Sequence, residues 1–173
     1  MDIRRVAVIG PECTGKSDLS KFLAAEFNTV WVPEFAREYL DNLSRPYIID
    51  DLTEIAKGQI EQEDSLTARA NQVLICDTNL YVIKVWSNFK YGHCDPWILR
   101  QIAERPYDLY LLTYVDIPWE YDPLREHPDQ RDQLYNIYLE EMKSQSVPFV
   151  EVKGDRQLRK QLARDSVSGL LRG

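Results

Sequence analysis

One short stretch of the sequence has the residue types and the spacing that bind phosphate. Residues 10–17 read Gly-Pro-Glu-Cys-Thr-Gly-Lys-Ser and match the pattern G-x-x-x-x-G-K-[ST]. Glycines let the backbone wrap so that its N–H groups converge on phosphate oxygens, while Lys16 can reach the outer phosphates. The predicted nucleotide-binding residues are Gly10, Glu12, Cys13, Thr14, Gly15, Lys16, Ser17 and Asp18. The stretch predicts a site for a nucleoside triphosphate, ATP or GTP; a glycine-rich turn with an exposed lysine is the alternative.

A carboxylate is expected beside this loop. Phosphate-binding loops of this kind work with an acidic residue at the end of a neighbouring strand, which holds Mg²⁺ or its water. Asp77 follows the apolar run Val73–Cys76 directly and is the candidate. It could instead only cap the helix that begins after Asn79. We predict that the Ser17 hydroxyl and Asp77 form the Mg²⁺ site.

Two residues predict where a phosphate acceptor binds. Glu34 follows a weak apolar run, at the sheet edge where ligands of open α/β sheets bind. A carboxylate there can take or orient the proton of an acceptor hydroxyl. Arg37 lies three residues later on the same helical side and could hold the acceptor or a phosphate oxygen. The alternative for Arg37 is an ordinary exposed ion pair with Glu34.

Residues 116–132 are rich in proline and charge and show no periodicity, which is typical of a functional loop or a mobile lid. Arg125 and Arg131 in this segment could stabilise negative charge on a transferring phosphoryl group. Trp119 could stack on a base. Solvated arginines, and an aromatic side chain that anchors the loop to the body, are the alternatives.

The elements that must position these residues follow from the hydrophobic pattern. Predicted strands are Val6–Gly10, Thr29–Val32, Val73–Asp77, Leu109–Val115 and Pro148–Val152. Predicted helices are Ser17–Phe27, Glu34–Leu43, Asp50–Asn71, Leu80–Phe89, Pro96–Arg105, Gln130–Ser146 and Gln157–Leu171. Strands that alternate with helices predict an α/β fold of three layers, with a parallel sheet covered on both faces. We expect residues 1–173 to form one domain with one lid.

Composition limits the partners. The net charge of −7 disfavours nucleic acid, which needs a basic face. The apolar run at the N-terminus is too short for a signal peptide or a membrane span. Three widely spaced cysteines (Cys13, Cys76 and Cys94) offer neither a disulfide framework nor paired zinc ligands, which indicates a reducing cytoplasm. We expect a nucleotide and a small acceptor as partners; no feature indicates an oligomeric state.

Several other residues carry less information. His93 and His127 lie among polar residues without metal-spaced partners, so we expect surface histidines. Trp86, Tyr91 and Trp97 are expected in the core or at its rim rather than in a binding site.

Taken together, the motifs resemble the ribosylnicotinamide kinase module of bacterial NadR proteins, a P-loop kinase family. The stretches that carry the resemblance are GPECTGKS, FNTVWVPEFAREY, ICDTN, DIPWEYDPLR and VPFVEVKG, and they span nearly the whole sequence. The first motif is generic to P-loop proteins. The E-[FY]-x-R-[DE]-Y pattern and the P-W-x-x-D-x-L-R lid are considerably more specific.

The resemblance implies ATP-dependent phosphorylation of the 5′-hydroxyl of nicotinamide riboside to nicotinamide mononucleotide, and a five-stranded parallel sheet. By this resemblance, Lys16 and Ser17 hold the phosphates and Mg²⁺, and Asp77 lies by the metal. Glu34 and Arg37 lie on the acceptor side, and Arg125 and Arg131 lie in the lid. Pro33 stands where the family carries an aromatic residue, which bears on the identity of the acceptor. Since the sequence begins at the first strand, we expect no adenylyltransferase before it.

Two functions are therefore compared. The first is a small kinase whose catalytic residues are Lys16, Glu34, Asp77, Arg125 and Arg131. The second is a regulatory module that binds ATP or GTP and has little or no kinase activity. A second pocket beside Glu34, facing the γ-phosphate position, favours the kinase, because a sensor needs no acceptor site.

Overall fold

A five-stranded sheet forms the centre of the computed structural model, which describes residues 2–173. The strands are β1 (Arg4–Ile9), β2 (Trp31–Val32), β3 (Val73–Asp77), β4 (Leu109–Thr113) and β5 (Phe149–Val152). Their order across the sheet is β2-β3-β1-β4-β5, and every hydrogen-bonded pair is parallel. The predicted five-stranded parallel α/β fold is confirmed.

The helices that connect the strands are α1 (Lys16–Glu26), α2 (Phe35–Asp41), α3 (Ile49–Thr67), α4 (Leu80–Tyr91), α5 (Pro96–Glu104), α6 (Arg131–Lys143) and α7 (Arg156–Arg172). The largest departure from the predicted bounds is at the end of α3, which stops four residues before Asn71. There the Thr29 hydroxyl accepts a hydrogen bond from the Asn71 N–H (2.9 Å) and donates one to the Val73 carbonyl (2.7 Å). These bonds hold the segment as a turn into β3. No helix within residues 2–173 has the length and apolar character needed to cross a membrane.

Alternate side chains of the central strands face two different cores. Val6 and Val8 pack with residues of α1 and α7, including Leu23 and Val167. Ala7 and Ile9 point the other way and pack with residues of α4 and α6, including Tyr81, Leu134 and Tyr138. Because both faces are covered, these strands read as nearly continuous apolar runs.

The carboxyl ends of β1, β3 and β4 meet at one edge of the sheet, since neighbouring strands are parallel. The loop after β1 spans residues 10–15, and the connection after β4 reaches from residue 114 to α6. We call residues 116–130 the lid segment. The predicted lid ended at residue 132, but Arg131 and Asp132 begin α6. This edge therefore collects the phosphate-binding motif, Asp77 and the lid.

The start of α2 is fixed by two adjacent residues of α3. A Cβ atom on Gly58 would lie 2.0 Å from a ring carbon of Phe35, so the ring packs directly against the α3 backbone. The neighbouring Gln59 accepts the Phe35 N–H through its side-chain oxygen (3.1 Å) and is buried. Because Glu34 directly precedes Phe35, these contacts also set the position of Glu34.

We expect Gly58→Ala to destabilise the protein by about 1–3 kcal/mol, because the added methyl must displace the Phe35 ring. This effect opposes the helix propensity of alanine, which alone favours the substitution by about 1 kcal/mol. Gly169 is the matched control: it lies in α7, and among residues 2–173 no heavy atom beyond its chain neighbours and its own helix backbone comes within 4 Å of the position a Cβ would take. Urea unfolding should show Gly169→Ala to be neutral or stabilising. If Gly58→Ala is also stabilising, the packing of Phe35 on α3 is wrong.

Candidate active site

The loop between β1 and α1 has the geometry that its sequence predicts. Gly10 has a φ of +143°, and a Cβ there would lie 2.5 Å from the Thr113 hydroxyl oxygen and 2.8 Å from the Thr113 carbonyl oxygen. Only glycine fits this close approach to the end of β4. Cys13 and Gly15 also have positive φ angles, of 54° and 80°. The loop therefore wraps tightly and delivers its last residues to the N-terminus of α1, where anions bind.

Lys16 is the first residue of α1 and reaches back over the loop. Its ammonium donates to the carbonyls of Gly10 (3.0 Å) and Pro11 (2.7 Å). Removal from water lowers the pKa of Lys16, and the carboxylates of Glu34, Asp77 and Glu12 oppose this effect. Three carboxylates from separate parts of the chain thus act on the charge of this ammonium.

Ser17 and Asp77 lie together as predicted for a metal site. The Ser17 hydroxyl donates to one Asp77 carboxylate oxygen (2.5 Å), and the other oxygen is buried with no hydrogen-bond partner among residues 2–173. Burial raises the pKa of Asp77. Asn79, not Asp77, caps helix α4, because its side chain accepts the Tyr81 N–H (3.0 Å). A hydroxyl beside a carboxylate with a free oxygen fits the ligand preference of Mg²⁺.

A cavity of about 330 Å³ extends from the phosphate loop toward α2, α4 and α6. Residues 10–18 line one end, and the lid contributes a wall through residues 124–127. The other end is mainly apolar and is lined by Ala36, Leu40, Val82, Val85, Trp86, Phe89, Leu134 and Tyr138. Glu34 and Arg37 also line this cavity. The phosphate loop and the apolar end beside Glu34 thus border the same cavity, and we call that apolar end the chamber.

Glu34 is the residue directly before α2 and has an extended backbone. Burial is the largest influence on its carboxyl group and raises its pKa; the negative charges of Asp77 and Glu12 act in the same direction. Lys16 and Arg37 lower the pKa but do not reverse the shift. A carboxylate with a raised pKa is a stronger proton acceptor than an exposed glutamate.

Arg37 pairs with the lid rather than with Glu34. Its guanidinium lies 3.1 Å from the Asp122 carboxylate. The alternative of an ion pair between Arg37 and Glu34 is therefore not what the structure shows. The contact with Asp122 joins α2 to the lid through Arg37, which itself lines the cavity.

Residues of the phosphate loop hydrogen-bond to the lid and hold it in place. The Glu12 carboxylate accepts the backbone N–H groups of Glu126 (3.0 Å) and His127 (3.1 Å). The Cys13 sulfur accepts the Glu120 N–H at 3.3 Å. Glu12 and Cys13, predicted as nucleotide-binding residues, therefore also carry the lid.

The lid arginines occupy different places. Arg125 lines the cavity, and its guanidinium lies 5.9 Å from the centre of the Trp119 ring. Arg131 and Trp119 do not line the cavity, although both were expected at the site. Arg131 donates to the carbonyls of Cys13 (3.0 Å) and Ile117 (2.8 Å), and its guanidinium lies 5.7 Å from the Trp119 ring centre. Arg131, at the start of α6, thus joins the phosphate loop to residue 117 of the lid, and the Trp119 ring lies beside its guanidinium.

Several cavity residues were not predicted as site residues. The sequence predicts Trp86 in the core or at its rim and His127 at the surface, yet both line the cavity. Val82, Val85, Trp86 and Phe89 follow a helical i, i+3, i+4, i+7 spacing, which reads as an ordinary core face. The Trp86 indole donates to the Tyr47 hydroxyl (3.0 Å), and the His127 ring packs edge-on against Phe89 at 5.0 Å. Asp18, predicted to bind the nucleotide, lines the cavity and also pairs with Arg156 (2.9 Å).

The phosphate loop, the order of the sheet and the cavity at its carboxyl edge define a P-loop nucleotide-binding domain with a kinase fold. A family model described as "AAA domain" matches residues 5–159, and the chain belongs to this family. The trifunctional NAD biosynthesis/regulator protein NadR of Salmonella typhimurium is 31% identical over 159 residues, and that of Escherichia coli is 30% identical. Each alignment covers 87% of this chain and 38% of the relative, so the chain spans well under half of those proteins.

Solved structures give the same picture of the fold. A NadR protein in complex with NR matches with a TM-score of 0.83 at 22% identity, over 99% of this chain and 52% of that chain. A NadR protein in complex with NAD and AMP-PNP matches with a TM-score of 0.79 at 21% identity, over 98% of this chain and 50% of that chain. A deoxyadenosine kinase from M. mycoides matches with a TM-score of 0.62 at 13% identity, over 95% of this chain and 99% of that chain. The predicted resemblance to NadR is confirmed.

The charges around Glu34 allow a test that needs no substrate. We expect the Glu34 carboxyl, followed by ¹³C NMR, to titrate above the ordinary value of 4.5. Asp77→Asn removes a neighbouring negative charge, so it should lower the pKa of Glu34. Asp41→Asn, an exposed change on the same helix α2, should leave that pKa unchanged. An Asp77→Asn variant with an unshifted or raised Glu34 pKa would contradict the proximity of the two carboxylates.

Proposed function

We propose that the protein is an ATP-dependent small-molecule kinase that transfers the γ-phosphate to the 5′-hydroxyl of a nucleoside, with nicotinamide riboside as the favoured acceptor. One observation carries the proposal: the phosphate loop and the chamber beside Glu34 belong to one cavity. A nucleotide sensor requires the phosphate end alone. The chamber supplies the space for an acceptor at the position that the γ-phosphate faces.

The donor side rests on the loop and on Lys16. Backbone N–H groups of residues 13–17 cradle the β- and γ-phosphates, and the Lys16 ammonium exchanges its two carbonyl partners for phosphate oxygens. Ser17 and Asp77 would hold Mg²⁺, which when bound neutralises phosphate charge. ATP is the proposed donor because the NadR structure that is similar to this chain holds AMP-PNP.

Transfer then depends on Glu34. An acceptor hydroxyl beside Glu34 gives its proton to the carboxylate as its oxygen bonds to the γ-phosphorus, and the bond from that phosphorus to the bridging oxygen of ADP breaks. Arg125, which lines the cavity from the lid, stabilises the negative charge on the transferring phosphoryl group. Arg37 lies on the acceptor side and orients the hydroxyl. The closed lid excludes water, which would otherwise compete as the acceptor.

The apolar end of the cavity supports a nucleoside acceptor. Trp86, Phe89 and Tyr138 give it aromatic walls that suit a flat ring, while Glu34 and Arg37 offer partners for ribose hydroxyls. The NadR structure that is similar to this chain contains NR, which supports nicotinamide riboside. Pro33 precedes Glu34 on the strand side, and the aromatic lining of the cavity comes from α4 and α6.

The first test is a coupled assay of ADP release with MgATP and a panel of nucleosides that includes nicotinamide riboside. We expect saturable turnover with one acceptor. Lys16→Ala should lower kcat by a factor of about 10² or more, because it removes a charge aimed at the transferring phosphate. Lys143→Ala, an exposed change on α6, is the control. ATP binding without turnover of any nucleoside would overturn the proposal in favour of a regulatory module.

The second test uses the acceptor carboxylate. Since Glu34 must be ionised to accept a proton, kcat/KM should rise with pH through the pKa of this group, above the ordinary 4.5. Glu34→Gln should lower kcat by a factor of about 10²–10⁴, leave the KM for ATP nearly unchanged and remove this acidic limb. Asp41→Asn should retain the wild-type profile. A Glu34→Gln variant with wild-type turnover would show that another group takes the proton.

A further inference from the structure

Two successive carbonyl groups of the phosphate loop are held by arginines that lie outside the G-x-x-x-x-G-K-S motif. Arg131, the first residue of α6, donates to the Cys13 carbonyl at 3.0 Å. Arg159, in the first turns of α7, donates to the Thr14 carbonyl at 2.8 Å. Nothing in the sequence pattern singled out Arg159.

Arg159 is buried, with 5% of its surface exposed. Besides the Thr14 carbonyl, it donates to the carbonyls of Gly154 (3.0 Å) and Tyr114 (2.6 Å) and to the Asp116 carboxylate. A buried guanidinium is tolerated when it is hydrogen-bonded and its charge is paired; here each of its three nitrogens donates at least one hydrogen bond, and Asp116 pairs with the charge. The side chain therefore ties the phosphate loop to the base of the lid and to the loop after β5.

The contact with Thr14 fixes the orientation of one peptide group. In a trans peptide the C=O and N–H bonds point in opposite directions. Since the Thr14 carbonyl points to Arg159, the Gly15 N–H of the same peptide points away from Arg159. Gly15 has a φ of +80°, and a glycine in this position gives little resistance to a peptide flip. In the same way, Arg131 orients the Thr14 N–H through the Cys13 carbonyl.

We propose that Arg159, assisted by Arg131, is a positioning residue for phosphate: by holding the loop carbonyls outward it presents the Thr14 and Gly15 N–H groups to the phosphates of the nucleotide. The role rests on the proposed function only in requiring that the loop binds a triphosphate. The effect is one of geometry more than of charge, because Asp116 neutralises the guanidinium at its own site.

The test measures binding of tripolyphosphate and of MgATP to the full chain by calorimetry. Arg159→Met should weaken both by about tenfold or more, because the unheld peptides no longer present their N–H groups together. The KM for the acceptor should stay within about twofold of wild type, since the chamber beside Glu34 is untouched. Arg164→Met is the matched control in the same helix, where the arginine is half exposed and makes only long ion pairs of 3.7 Å.

Two further variants separate orientation from charge. Arg159→Lys keeps the charge but lacks the fork that reaches several carbonyls, so it should stay weakened by about fivefold or more. Full recovery in Arg159→Lys would overturn the proposal. Arg159→Met combined with Asp116→Asn removes the carboxylate that the single change leaves unpaired. Weak binding should persist in this double variant, and recovery there would show that uncompensated charge was the cause.

Arg131→Met keeps the proposal testable if Arg159→Met fails to fold. It is expected to weaken tripolyphosphate and MgATP binding in the same direction, because it releases the preceding carbonyl of the loop. Unchanged binding in both arginine variants, or equal losses for nucleotide and acceptor, would overturn the positioning role. A wild-type protein that binds phosphate but phosphorylates no nucleoside would contradict the kinase proposal alone. A wild-type protein that binds neither tripolyphosphate nor MgATP would overturn both.

Discussion

The rest of the site depends on the interactions of the Lys16 ammonium group with its neighbours. The ammonium lies within the influence of the carboxylates of Glu12, Glu34 and Asp77, and its hydrogen bonds go to two loop carbonyls. Three carboxylates this close repel one another in a poorly hydrated site, and one cation reduces that repulsion. Each carboxylate then has a separate use: Glu12 carries the lid, Asp77 holds the Ser17 hydroxyl, and Glu34 faces the chamber.

The fold brings these groups together because of the order of its strands. β1 lies in the middle of the sheet with β3 beside it, so the phosphate loop and Asp77 come from adjacent strand ends. β2 has only two residues and guides the chain to Glu34, and α3 holds the start of α2 through Gly58 and Gln59. The lid then closes over the loop through Glu12. Gly58 and Gln59 thus support the site although they take no part in the chemistry.

The sequence could predict those features of the fold and the site that depend on local sequence patterns. The phosphate loop, Asp77 and Glu34 each stand at the end of an apolar run, and a parallel sheet places such ends on one edge. The apolar chamber could not be predicted, because Trp86 and Tyr138 come from helix faces whose spacing is the same as that of a core face. Arg159 was missed because a lone arginine in a charged helix carries no signal of burial. Arg131 and Trp119 were placed in the site because a loop sequence does not say which way its side chains point.

A crystal structure of the protein with MgADP and the nucleoside that it phosphorylates would show whether the acceptor hydroxyl binds at Glu34. We expect the 5′-oxygen to lie within hydrogen-bond distance, about 2.6–3.2 Å, of the Glu34 carboxylate and to face the β-phosphate, with the Lys16 ammonium on that phosphate. Both ligands would then share the cavity that joins the loop to the chamber. A nucleoside bound elsewhere, or one whose hydroxyl turns away from Glu34, would contradict the account.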